Sequence, residues 1–453
     1  MIGLALILSG FAPAPGGLSE PAWFALAVAA AMAALWVTEA LPLAATALIP
    51  LAAFPLAGVA PIADLAGAYA HPLIFLFLGG FLIGRALERH GAPQRIGAAI
   101  LAAARGRPGA AVAGLMAASA FFSLWISNTA TAMIMAPVAA ALGAGRAEGD
   151  GTAPAALLGV AFAATIGGMG SLIGTPPNAL FAAWAERALG VEVGFAEWAM
   201  IGLPAAAALL PVAYLVLTRV AFTLGPPTAA GERRDAPPLG GPAKRVLAVA
   251  GLAAFAWAFR PILTAWPPLA SLTDAGIAVL AALALFAAPD GRGARLLDWE
   301  AAKSIRWDVL ILFGGGIALA DALDRTGAAA WLAGARAVGD GAPTFAAILV
   351  FAAAIVLVGE LASNTAMAAI FLPVAGATAA ALGADPLTFV APVALAASIG
   401  FMLPVATPPN AIVFAYPAVT RADMLRAGAP LDAIGIVVAA GIGALLAPLA
   451  LGG

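Results

Sequence analysis

No cysteine occurs in the chain, which excludes disulfides, thiol chemistry and cysteine-ligated metals. Histidine is nearly as scarce. Only His71 and His90 are present, 19 residues apart, and both fall near expected span ends, where they read as interfacial residues rather than metal ligands. With these two isolated, no nucleophile–base pair or metal cluster is available to an enzyme working in the membrane. Charge is also sparse. Asp, Glu, Lys and Arg make up 10% of the chain, against roughly 25% in soluble proteins. The net charge of −2 offers no case for a nucleic-acid partner, and no motif calls for an organic cofactor.

What the chain has in excess is apolar surface. Hydrophobic residues account for 63% of it and the mean hydropathy is +1.03, as in a polytopic membrane protein with several spans of about 20 apolar residues. Ile2–Phe11 is short for a crossing and lacks the basic flank of a signal peptide, so residues 1–20 read as a short N-terminal helix. Trp23–Val37, Leu41–Val59 and Leu73–Leu87 read as spans, and Gly91–Arg107 as a helix lying in the interface. Ala110–Leu142 and Ala153–Trp184 are longer apolar stretches with polar interruptions, followed by a span at Trp198–Val220. Residues 225–245 are polar and proline-rich and read as a linker. The second part then replays the first. Spans at Val246–Trp266, Leu272–Ala288 and Val309–Leu323 precede an interfacial piece at Ala329–Val338. Interrupted stretches at Ala342–Ala379 and Val390–Tyr416 and a last span at Leu431–Leu451 complete it.

The interruptions are the same in both parts. Ser127-Asn128-Thr129 has a counterpart in Ser363-Asn364-Thr365, and Thr175-Pro176-Pro177-Asn178 in Thr407-Pro408-Pro409-Asn410. The two serines are 236 residues apart, the same offset that separates Gly79-Gly80, Arg89 and Gly91 from Gly315-Gly316, Arg325 and Gly327. Thr175 and Thr407 are 232 apart. A helix cap would account for one Ser-Asn-Thr and a structural kink for one Thr-Pro-Pro-Asn, but neither explains the near-constant offset. Residues 21–224 and 246–453 therefore read as two repeats of one unit.

A straight helix over the 33 residues of Ala110–Leu142 would be about 50 Å long, against a hydrocarbon core of roughly 30 Å. A re-entrant hairpin over 110–142, with Ser-Asn-Thr at its tip, removes the excess, and 342–379 is its counterpart. Proline lacks the amide and disfavours helix at the residue before it, so 153–184 and 390–416 are predicted to be broken helices. The fold class is then all-α and polytopic. Each repeat has five crossings plus a hairpin, about 11 transmembrane helices in all. Five is odd, so the repeats are inverted. With the first hairpin entering from the cytoplasm, 17 of the 21 lysines and arginines fall inside, as the positive-inside rule requires. That orientation makes the linker cytoplasmic and the C-terminus external, in a multi-pass protein of the cell inner membrane.

Hairpin tips and broken helices from inverted repeats meet near the midplane, where transporter sites lie. A channel would need a continuous polar pore, whereas the polar residues here concentrate at one level. Freed helix N-termini favour an anion, and freed carbonyls suit Na+. Neither motif contains Lys or Arg, so a doubly negative substrate would need co-bound cations. Glu39 and Asp274 read as structural acids at span ends, and Glu360, beside the second motif, reads equally as structural or functional. Gly79-Gly80 and Gly314-Gly315-Gly316 read as close-packing positions.

The paired Ser-Asn-Thr and Thr-Pro-Pro-Asn motifs, with Trp36-Val37-Thr38-Glu39-Ala40-Leu41-Pro42-Leu43, resemble the divalent anion–sodium symporter family from about Trp23 onward. The resemblance implies sodium-coupled transport of a divalent anion, C4-dicarboxylates foremost, by a homodimer with an elevator mechanism. It implies a first sodium site of Ser123, Ser127, Asn128 and the Gly174 carbonyl, and a second of Ala362, Asn364 and the Ala406 carbonyl. Substrate would meet Asn128, Thr129, Thr175, Asn364, Thr365 and Thr407. One position departs from the pattern. Gly359 stands where the offset from Ser123 leads one to expect a hydroxyl, so the second sodium site is expected to be weak, backbone-only or absent. The family also contains sodium-independent exchangers, and related inverted-repeat transporters carry arsenite or exchange sodium for protons. These stand as alternatives.

Overall fold

Proline, glycine and small polar residues decide where the helices stop. The computed structural model describes residues 2–38, 40–143, 149–227, 238–328, 331, 344–361 and 363–452. Glu39, Ala362, most of the linker (228–237, with Arg233 and Arg234) and nearly all of the expected interfacial piece at Ala329–Val338 lie outside the described residues. Among those described, the chain is all-helical apart from one isolated bridge between Pro289 and Arg295.

The short helix Ile2–Ser9 and the helix Glu20–Thr38 come first. The single span expected over Leu41–Val59 is instead two pieces, Leu43–Thr46 and Ile49–Leu56. Pro42 sets the start of one piece, Pro50 lies in the first turn of the other and Pro55 near its end, and each proline withholds an amide from the ladder. Ile62–Ala68 and Pro72–Arg89 follow with a 41° bend between them. The helix expected over Gly91–Arg107 runs Ala92–Ala104. The span expected over Val246–Trp266 starts earlier and ends sooner, at Gly241–Ala258, with Arg260–Thr264 behind it.

Four single helices among the described residues are long and apolar enough to cross a membrane: Thr152–Met169, Phe195–Ala221, Asn364–Ala381 and Arg421–Leu451. Glu20–Trp36, Pro108–Ser123, Asp274–Ala287 and Thr344–Gly359 are apolar but shorter.

Both Ser-Asn-Thr motifs sit at the turn of a helical hairpin. The first has arms Pro108–Ser123 and Asn128–Ala140. Met116, Ala120 and Leu124 lie against Gly159, Gly167 and Gly170 in that order, so the first arm runs parallel to the helix Thr152–Met169. Asn128 lies against Gly168 and Ala153 against Gly143, so the second arm runs back along it. In the second hairpin, Thr344–Gly359 runs parallel to the segment after Pro386: Phe351 meets Phe389 with ring centroids 5.5 Å apart, and Glu360 meets Met402. Asn364–Ala381 returns, reaching Pro386 after the four-residue turn 382–385.

Each Thr-Pro-Pro-Asn motif opens a second helix after an interval without helix. The first such pair consists of Thr152–Met169 and Pro176–Leu189, the second of Pro386–Ala396 and Pro408–Phe414. Their packing is reciprocal. The second arm of the first hairpin packs on Pro408–Phe414, while that of the second hairpin packs on Pro176–Leu189. The long helices behind them, Phe195–Leu215 and Arg421–Leu451, pack together. Gly202 and Gly428 let them approach the carbonyls of Met169 and Phe401, residues that are equivalent at the 232-residue offset.

Candidate functional site

At the first tip Ser127 is the N-cap of the second arm, and its hydroxyl accepts the Ala130 amide at 3.2 Å. The Asn128 and Thr129 amides lie in the first turn, where no intrahelical acceptor exists. Ser123 is wholly buried and donates to Asn128 Oδ1 at 2.5 Å. Gly168 lies against the Asn128 side chain, and Gly174 backs onto the carbonyls of Gly168 and Ser123. Ser123, Ser127, Asn128 and Gly174 are thus brought together. A cavity of about 200 Å³ opens beside them, lined by Trp125, Ser127 and Thr129 and, from other elements, by Arg85, Glu88 and Arg306.

The second tip has the same shape and different chemistry. Ser363 is extended but caps nothing with its side chain. Asn364 Oδ1 is buried with no partner among the described residues, and a Cβ on Gly359 would stand 3.6 Å from it. Where Ser123 donates to Asn128, Gly359 has nothing to give. Asn364 and Thr365 open the returning arm, and Ala406 and Thr407 are buried at the start of Pro408–Phe414. Thr407 accepts the Asn410 amide at 3.3 Å, whereas Thr175, equally buried, makes no side-chain cap bond.

The last residue of each Thr-Pro-Pro-Asn motif, which the sequence reading left out of the site, holds the break together. Asn178 Nδ2 donates to the carbonyls of Ser171 at 2.7 Å, Gly168 at 3.0 Å and Met169 at 3.4 Å. Asn410 Nδ2 donates to Leu403 at 3.0 Å and Gly400 at 3.1 Å. Unwinding a helix orphans its carbonyls, and a buried amide side chain is the neutral way to satisfy several at once. The doubling of Asn in the motif was the available signal.

The expectation that broken-helix N-termini hold the anion needs amending. Their first two residues are prolines, Pro176-Pro177 and Pro408-Pro409, which carry no amide. In the second break the amides of Phe401, Met402 and Leu403 are already accepted by Asp432 and Glu360. The amides that open the returning hairpin arms, by contrast, precede no proline pair and lie in a first helical turn. Elsewhere, Asp274 is a structural tie. It accepts the Phe195 amide at 2.7 Å and pairs with Arg260 at 3.1 Å. His71 faces Glu186 at 3.4 Å, and His90 bonds the Leu296 carbonyl at 2.7 Å.

Residues 33–394 match the citrate transporter family model. A sodium-dependent dicarboxylate transporter, SdcS, of Staphylococcus saprophyticus is 35% identical over 459 residues, covering 97% of this chain and 88% of its own. SdcS of Staphylococcus aureus strain USA300 is 33% identical over 452 residues, covering 95% and 86%. The structure resembles the Alcanivorax borkumensis YdaH transporter, with a TM-score of 0.58 at 16% identity over 84% of this chain and 86% of that one. It also resembles Neisseria gonorrhoeae MtrF, which represents a class of antimetabolite efflux pumps, with a TM-score of 0.57 at 14% identity over 85% and 82%. At these identities the two structures speak for the fold alone, an all-helical membrane-transporter fold. The family match over most of the length, and relatives that share a third of its residues, establish that the chain belongs to the divalent anion–sodium symporters, a family of membrane transporters and not of enzymes.

Proposed function

We propose that the protein is a sodium-coupled symporter of C4-dicarboxylates, built from two inverted repeats and working as an elevator-type homodimer in the cell inner membrane. The observation that supports this reading most directly is the reciprocal packing of each Ser-Asn-Thr arm on the other half's Pro-Pro-Asn half-helix. A site made this way has two equivalent tips, each with a free first-turn amide pair, a side-chain amide and a Thr hydroxyl. A dicarboxylate has two equivalent ends. Asn128 and Thr129 would take one carboxylate and Asn364 and Thr365 the other, with Thr175 and Thr407 flanking them. These donors are neutral, so the substrate's two charges are offset by Na+ at Ser123, Ser127, Asn128 and the Gly174 carbonyl, and at Asn364 and the Ala406 carbonyl. Ala362, which the family pattern adds to the second site, is outside the described residues. The relatives named sodium-dependent dicarboxylate transporters support both the substrate class and the coupling.

The test is uptake of a labelled C4-dicarboxylate into proteoliposomes under an inward sodium gradient, with choline replacing sodium in the control. Accumulation above equilibrium only with the gradient is expected. Uptake that ignores sodium but is driven by unlabelled dicarboxylate loaded inside would replace symport with exchange.

A further inference from the structure

Positions 124 and 360 are equivalent at the 236-residue offset, and each ties a hairpin tip to the unwound segment beside it. In the first half the tie is neutral, with the Ser171 hydroxyl donating to the Leu124 backbone carbonyl at 2.6 Å. In the second half it is anionic. Glu360, only 2% exposed, accepts the amides of Met402 at 3.0 Å and Leu403 at 2.7 Å. A second carboxylate joins it from the long helix Arg421–Leu451. Asp432, 3% exposed, accepts the Phe401 amide at 3.1 Å and lies within hydrogen-bonding reach of the Glu360 carboxyl. Among the described residues no hydrogen-bond donor reaches its Oδ2, and no ion pair brings Lys or Arg to either acid.

Two adjacent buried carboxylates repel, so either one takes up a proton or the pair draws in a cation; even singly protonated, the pair keeps one negative charge, with only the partial positive charge of three backbone amides against it. An oxygen cradle lies at the same tip. A Cβ on Gly400 would stand 3.3 Å from the Ala406 Cβ and 3.6 Å from Glu360 Oε1, which sets the carboxylate next to Ala406. Asn364 Oδ1, buried and without a partner among the described residues, is at the same turn. We propose that Glu360 and Asp432 supply the counter-charge for Na+ at the second hairpin tip, so that this acid pair, and not the residue at 359, sets the affinity there. The proposal rests on the symport reading of the two tips. It makes the tips unequal: the second is electrostatically primed for a cation, while the equivalent tie at the first is a neutral hydroxyl and the acid beside that tip, Glu88, is paired with Arg85. Sodium then loads the second tip first and readies it for the dianion.

The test pairs thermal unfolding of the detergent-solubilised full chain, titrated with NaCl against choline chloride at equal ionic strength, with uptake of labelled dicarboxylate in proteoliposomes. Wild type gains stability with sodium. Glu360→Gln and Asp432→Asn each raise the half-effective sodium concentration about 5- to 150-fold, with the dicarboxylate KM at saturating sodium unchanged. Glu360→Asp, which keeps the charge, recovers most of the affinity. A merely structural tie would lower folded yield or maximal uptake without moving the sodium midpoint, and that result overturns the proposal. So does a wild type that sodium does not stabilise, or a pair whose removal changes only the pH dependence, which would mean that a proton lies between the acids. If uptake ignores sodium while stability still rises with it, and Glu360→Gln loses the rise, the symport reading fails and the cation site stands.

Discussion

Four asparagines of the doubled motifs share one side chain and divide into two jobs. Asn178 and Asn410 spend their Nδ2 groups on carbonyls that the helix breaks would otherwise orphan. Asn178→Ala is expected to destabilise the protein by about 1–3 kcal/mol for each carbonyl left bare, seen as a lower unfolding midpoint in detergent. Asn128→Ala is expected to lower that midpoint less, because it strips a partner from one buried group, the Ser123 hydroxyl, and to abolish uptake, because Asn128 is proposed to meet both substrate and sodium. Equal loss of stability in both would mean that the two motifs do the same structural work. Gly359 gives a second test at this scale. Among the described residues a Cβ there meets Asn364 Oδ1 alone, at an ordinary 3.6 Å, so a serine can donate as Ser123 does. Gly359→Ala should gain about 1 kcal/mol from helix propensity, and Gly359→Ser a further 0.5–1.5 kcal/mol or so from the hydrogen bond. Unfolding of the two variants side by side isolates the bond, and no difference between them would show that Asn364 Oδ1 faces elsewhere.

At the scale of elements, the breaks were legible in the chain because their signals are local. Pro176-Pro177 and Pro408-Pro409 deny amides to the ladder wherever they fall, and a polar tripeptide inside a 33-residue apolar stretch has few places to go but a turn. The split of Leu41–Val59 carried the same signal in Pro42, Pro50 and Pro55, outweighed there by the length of the apolar run. The Glu360–Asp432 pairing was not legible. The two acids are 72 residues apart in sequence, and only the packing of Arg421–Leu451 behind the second break brings them together. Nor does a sequence show which Asn donates to backbone, since that depends on where the carbonyls end up. The elements also meet more tightly in the first half. A Cβ on Gly174 would lie 2.8 Å from the Gly168 Cα and 2.9 Å from the Ser123 carbonyl oxygen, all backbone atoms that cannot rotate away. Its counterpart is Ala406, which already carries a Cβ. Gly174→Ala should therefore push the break away from the hairpin and reduce uptake to background, while Ala406→Gly keeps it. Normal uptake by Gly174→Ala would show that the first tip tolerates separation of these three backbones.

For the whole molecule, the proposed elevator mechanism requires that some packed surfaces slide past one another. The half-helix Pro176–Leu189 and the arm Asn364–Ala381 face Glu20–Thr38 and Trp307–Arg325 across a cavity of about 480 Å³, lined mainly by small and aliphatic residues such as Ala29, Ala33, Leu180, Ala183, Gly316 and Ala380. Close-packed cores interlock, and this boundary does not. Polar ties cross it at discrete points. Arg187 pairs with Asp321 at 2.6 Å and donates to the Ile317 carbonyl, and Glu186 faces His71 at 3.4 Å. An elevator movement would have to break these ties and carry the apolar faces past each other. The absence of cysteine makes that testable without first clearing the background, because any introduced pair is the only pair of thiols in the protein. Leu180 and Gly316 are suitable positions, since a Cβ at 316 would stand 3.5 Å from Leu180 Cδ2. In the double variant Leu180→Cys/Gly316→Cys, joining the thiols with mercuric ion or a short bis-maleimide should stop dicarboxylate uptake. Dithiothreitol should restore uptake after mercury but not after the maleimide, and neither single variant should respond. Quantitative cross-linking with uptake intact would mean that these faces stay together through the cycle, and the moving boundary would then lie on the other side of the half-helix.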